Sequence, residues 1–158
     1  MKGVYCIRTI VEGVPDMADD FSTDNMLDMY LYENGQLLEQ LEEIVLENKD
    51  EDSFDENNIN EIFRIMHTIK GSSGVMKYDD IMKTSHKLED IFYFLRENRN
   101  VEEHHMELTE IIFRVLDFIN GEMDKIKDGN DPDGDSSELI ADMEKFLAGL
   151  KDNKQAPQ

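Results

Sequence analysis

The sequence is short of the residues from which covalent or metal-bound frameworks are built: its 158 residues include one cysteine and no tryptophan. The single thiol, Cys6, excludes a disulfide framework and a cysteine-rich metal site, and reads as an incidental N-terminal cysteine. Prolines number only three, so helix breakers are few. Positive charge is scarce too, with 16 Lys and Arg against 37 Asp and Glu and a net charge of −21. That balance argues against nucleic acid and anionic membrane surfaces, both of which select basic patches. No apolar run reaches the length of a membrane span. The opening "MKGVYCIRTIVEGVP" is interrupted by Arg8 and Glu12, which spoils it as a signal peptide. The chain reads as soluble and cytoplasmic, without membrane insertion.

What is present is helical periodicity, together with ten methionines suited to an adaptable core. After an aperiodic, β-branched stretch of fifteen residues, Ser22, Thr23 and Asp24 offer caps for a first helix. Its apolar positions are Leu27, Leu31, Leu38, Leu41 and Val45. The acidic segment "KDEDSFDENN", Lys49 to Asn58, reads as a loop. A second helix is expected from about Ile59. A third begins at the cap pair Asp79 and Asp80 and runs to about Asn98. The fourth carries Leu108, Ile111, Ile112, Val115, Leu116, Ile119 and Met123. Beyond the breaker segment "KDGNDPDGDSS", a short fifth helix spans Ser137 to Ala148, with Gly149 as its stop. Long amphipathic helices with short connections predict an all-α, up-down four-helix bundle with an appended fifth C-terminal helix.

The second helix contains "RIMHTIKGSSGVM", a histidine followed by two glycines that each cost helix stability. Ile62, Met66, Ile69 and Ser73 set the core direction. On the helical wheel His67 lies roughly 130° from it and Lys70 roughly 70°. His67 is thus a flank or surface residue, and Gly71 and Gly74 on its side would leave the imidazole open to a large partner. In the third helix His86 and Glu89 hold nearly the same offsets from the core line of Ile81, Ser85, Leu88, Phe92 and Leu95. A short turn at Tyr78 makes the two helices antiparallel, which sets His67 level with Glu89 and Lys70 level with His86. If the two flanks face each other, the four residues cluster. Glu89 could then accept the Nδ1 proton of His67 and leave Nε2 as an outward nucleophile. Lys70 would be a cation for an incoming phosphoryl oxygen, and His86 a supporting neighbour.

The block "IFRIMHTIKGSSGVMKYDDIMKTSHKLEDIFYFLRE", Ile62 to Glu97, closely resembles the N-terminal phosphotransfer (Hpt) domain of CheA-type chemotaxis histidine kinases. The start "MLDMYLYENGQLLEQLEE" is similar as well, so the resemblance covers about Thr23 to Leu150. It implies that His67 accepts phosphate on Nε2 from ATP held by a separate kinase domain, then passes it to a response-regulator aspartate. Lys70, His86 and Glu89 match the family's accessory residues. The resemblance also implies that ATP and magnesium come through the kinase domain, with no cofactor bound by this chain. The implied partners are that ATP-binding kinase domain and response regulators of the CheY and CheB type. Because the family dimerises through another domain, a monomer is expected. Residues 1–22 lie outside the family pattern as an N-terminal extension, with disorder one expectation for them; 23–150 form the phosphotransfer domain, and 151–158 begin a linker.

No glycine-rich nucleotide-binding box is present, so by itself the chain reads as a phosphoacceptor and carrier rather than an enzyme. A carrier from a phosphorelay outside chemotaxis is the alternative. Two other motifs invite metal readings. "DPDGDSSELIAD" resembles a calcium loop but lacks the glycine at position six and the glutamate at position twelve. "EEHH", Glu102 to His105, has one Glu-x-x-His spacing where carboxylate-bridged metal bundles need two. An acidic adaptor bundle with no role for His67 is the remaining rival.

Overall fold

A computed structural model describes the backbone of residues 2–155 and the side chains of residues 23–154. Among the described residues five helices form: α1 (Lys2–Asn48), α2 (Glu56–Val75), α3 (Asp79–Glu97), α4 (His105–Lys127) and α5 (Ser137–Gln155). Helices α1 to α4 close a ring, because α1 packs on α2 and α4 while α3 packs on the same two. Helix α5 lies against α3 and α4. The expected all-α bundle with a fifth helix is what forms.

The apolar stripes read from the sequence meet at the centre of that ring. Leu38, Leu41 and Val45 of α1, Ile62, Met66 and Ile69 of α2, Leu88 and Phe92 of α3, and Ile112, Val115 and Ile119 of α4 are all fully buried. Each contributes on the order of 1.5–3 kcal/mol of apolar transfer. Leu139, Met143 and Leu147 seat α5 by the same means.

Element ends depart from expectation at several points. Helix α1 does not begin at Ser22 but runs through it from Lys2. Once the bundle has nucleated its C-terminal part, each added turn gains hydrogen bonds without a new nucleation cost. The side chain of Cys6 falls outside the described residues. Helix α2 starts three residues before Ile59, where the Asp55 carboxylate accepts from the Asn58 N–H at 2.7 Å. Asp79 and Asp80 lie in the first turn of α3 rather than capping it. Asp80 instead accepts from the Ser136 hydroxyl at 2.6 Å, which ties the entry of α5 to α3. Gly149 does not stop α5: the helix continues to Gln155, since fully buried Leu150 anchors the next turn. The expected linker start, 151–158, is therefore helical to Gln155, and its last three residues are outside those described.

The turn between α2 and α3 fixes how the flanks of these two helices meet. Tyr78 N–H donates to Ser73 O at 2.9 Å, and Lys77 N–H to Gly74 O at 3.2 Å. These are the paired bonds of a Schellman cap, and Lys77 supplies the left-handed residue with φ 62°. The serines of "GSSG" fasten this end to α1. Ser73 and the Tyr30 hydroxyl lie 2.8 Å apart, and Ser72 donates to Asn34 at 3.1 Å.

The turn and its anchor can each be tested by stability. Lys77→Gly relieves about 1–2 kcal/mol of left-handed strain and adds about 0.4–1 kcal/mol of unfolded-chain entropy. The net is a gain of about 0.5–1 kcal/mol, visible as a higher urea midpoint at unchanged slope. Burial pushes the Tyr30 phenol up to about 12, partly offset by its Ser73 bond. The folded chain therefore retains a proton that the unfolded chain loses above its ordinary value near 10. Stability should fall between those two pH values, by about 3 kcal/mol in all. Tyr30→Phe should remove that part of the alkaline slope in unfolding measured against pH.

Candidate functional site

Since α2 and α3 run antiparallel from a tight turn at Tyr78, residues equally distant from it lie level. His67 and Glu89 are such a pair, eleven residues away on either side. Glu89 is buried although it is charged, with 8% of its surface exposed. A buried carboxylate needs a partner, and Lys70 provides it: Nζ donates to Oε1 at 3.0 Å and stands 2.9 Å from Oε2. Glu89 Oε2 also lies 3.3 Å from His67 Nδ1. This oxygen is shut off from water and has no aligned hydrogen-bond donor. Its unused acceptor capacity is directed at the imidazole.

The histidine itself is open, with 62% of its side chain exposed. With Nδ1 against the carboxylate, the opposite ring nitrogen Nε2 is the one available to a reagent. Gly71 has nothing within 4 Å of where a Cβ would stand, so that side of the ring is uncovered. Gly74 differs. A Cβ there would meet Met82 Sδ at 3.4 Å, which makes Gly74 part of the α2–α3 packing seam more than of the open face.

Three of the four expected residues, His67, Lys70 and Glu89, are brought together, and the fourth, His86, pairs elsewhere. His86 directs Nε2 to Asp90 Oδ1 at 3.5 Å, one turn along α3, and forms no bond to His67, Lys70 or Glu89. The spacing set the helix level correctly, but the preference of an exposed histidine for an acidic i+4 neighbour decides its partner. Sequence reasoning passed over Phe63, whose ring stacks on that of His67 at 6.0 Å and 15°. Its position four residues before His67 was the available signal.

The two metal-like motifs are occupied with structural work. Glu103 and His105 are buried together: Nδ1 of His105 meets Glu103 Oε2 at 2.9 Å and Nε2 meets Asn48 O at 2.6 Å, while Phe54 N–H donates to Glu103 Oε1. The network ties the end of α1 and its following loop to the start of α4. In the other motif Asp133 takes Lys125 at 2.9 Å, which holds its carboxyl below the usual range. Asp135 accepts from the Ser137 hydroxyl and is lowered for that reason. Among the described residues, no group of three or more His, Cys, Asp or Glu side chains is placed to hold a metal.

Residues 25–129, which include this exposed imidazole, its carboxylate and its lysine, match the Hpt domain. The chain belongs to the Hpt domain family. This Hpt domain is 30% identical over 125 residues to the chemotaxis protein CheA of Listeria monocytogenes, covering 79% of this chain and 20% of that protein. It is 31% identical over 122 residues to CheA of Bacillus subtilis, covering 75% and 17%. The chain thus spans about a fifth of the length of the curated relatives it matches. Its fold matches the solution structure of the histidine phosphotransfer domain of CheA with a TM-score of 0.66 at 28% identity, over 76% of this chain and 90% of that one.

The contact between Glu89 and Nδ1 has a direct spectroscopic consequence. In long-range ¹H–¹⁵N spectra the neutral ring of His67 should be mainly the Nδ1–H tautomer in the wild type. Glu89→Ala should shift it toward the Nε2–H form that free histidine prefers; an unchanged tautomer would show that Glu89 does not set it.

Proposed function

We propose that this Hpt domain is the phosphoacceptor and phosphocarrier module of a chemotaxis two-component system, with His67 as the phosphorylated residue. The observation that carries the reading is the pairing of an exposed Nε2 with a water-shielded Glu89 oxygen at Nδ1. The four-helix fold and the CheA relatives support it.

In the proposed reaction Nε2 attacks the γ-phosphorus of ATP, forming an N–P bond as the bond to the ADP oxygen breaks. ATP and magnesium belong to a separate kinase domain, and no residue of this chain is assigned to hold them. Glu89 orients the ring and balances the positive charge that develops on it once Nε2 is phosphorylated. Lys70, 2.9 Å from Glu89, is close enough to share its charge with phosphoryl oxygens. In the second step a response-regulator carboxylate attacks phosphorus, and the N–P electrons return to Nε2. Gly71 leaves room for that partner to approach. His86 holds a supporting place through Asp90. The domain acts in the cytoplasm as a monomeric substrate and carrier, with residues 23–150 as the functional unit. The CheA relatives favour chemotaxis over another phosphorelay.

The test is incubation with an active CheA-type kinase core and labelled ATP–magnesium. Wild type should acquire acid-labile, base-stable label, and His67→Gln none. Glu89→Ala should be labelled about tenfold more slowly or worse. Equal labelling of His67→Gln would sink the assignment.

A further inference from the structure

An imidazole that is more than half exposed has a freely rotating χ2 unless something holds it, and one contact at Nδ1 is a pivot, not a clamp. The second constraint is on the ring face. Phe63, one turn before His67 on α2, lies nearly parallel to it, with 6.0 Å between centroids and 15° between planes. One turn after His67 stands Gly71, with open space around it. The ring is therefore backed on one side and bare on the other.

Phe63 is itself held from α3. The guanidinium of Arg96 sits 4.3 Å over its ring and 5.2 Å from the ring centre of Tyr93. Tyr93 also packs on Phe63, at 6.2 Å and 41°. Glu97 meets Arg96 Nε at 3.3 Å. A cation against two aromatic faces is worth about 0.5–1 kcal/mol at an exposed site, enough to favour one rotamer of a half-buried phenylalanine.

We propose that Phe63 is a positioning residue for phosphoryl transfer: clamped by Arg96 and Tyr93, it fixes the plane of the His67 imidazole so that Nδ1 stays on Glu89 and Nε2 faces outward. The proposal rests on His67 as the phosphoacceptor. It gives Gly71 a complementary role, since a side chain there would close the one face left open.

Phe63→Leu removes the stacking surface and keeps an apolar side chain, Phe63→Tyr restores the aromatic face, and Arg96→Gln loosens the clamp without touching either ring. Circular dichroism should report all three as folded. With the domain as substrate of the kinase core, Phe63→Leu should lower kcat about tenfold at unchanged KM, Arg96→Gln should lower it less, and Phe63→Tyr should retain it. In the same variants the His67 ring signals should move toward the tautomer mixture of free histidine in the order of their rates. A raised KM with intact kcat would make Phe63 a docking contact and overturn the proposal, as would unchanged kinetics. Wild type that takes no label from a cognate core would instead remove the carrier reading, and this role with it.

Discussion

The antiparallel register of α2 and α3, set at the Schellman turn by the bond from Tyr78 N–H to Ser73 O, decides where every charged group of the site can lie. Moving the turn by one residue would rotate one helix by roughly 100° relative to the other. Glu89 would then no longer be level with His67, and Lys70 would lose the carboxylate it neutralises. The left-handed Lys77 shows that this register is kept against local preference, because a lysine takes a conformation that glycine takes more readily. The α1 contacts to Ser72 and Ser73 brace the same turn from the far side.

Within that register the site is a problem of charge management. The chain carries a net −21, and a phosphoryl group brings more negative charge to it. Glu89 adds a further negative charge in a water-poor setting, which is tolerable because Lys70 contacts both of its oxygens. The result is a compact, nearly neutral pair under an exposed ring. Histidine suits this position because one nitrogen can be held while the other reacts. Phe63 and Gly71 give the ring one covered and one open face, so neighbouring turns of one helix supply both restraint and access.

The opposite end of the bundle uses similar residue types for a different purpose. His105 and Glu103 are a buried imidazole and carboxylate at 2.9 Å, a closer pair than His67 and Glu89. They nevertheless hold a helix junction, since both ring nitrogens are spent on the protein itself. Exposure of the second nitrogen distinguishes a group that can act from one that only binds the fold together.

Residue periodicity alone determined the helices, their core faces and the level pairing of His67 with Glu89, because both the helical pitch and the antiparallel turn are local properties of the chain. The unbroken run from Ile62 to Glu97 carried the Hpt resemblance as well. Only the tertiary structure decided which partners the flanking groups choose. Lys70 turns to Glu89 while His86 turns to Asp90, Gly74 joins the helix seam while Gly71 stays open, and Arg96 reaches back over Phe63. Helix ends such as those of α1 and α5 were likewise settled by packing, as caps and glycines signal weakly where a buried neighbour holds the next turn. A wheel angle places a side chain on a face; what it touches depends on long, flexible groups competing for the same few partners across two helices.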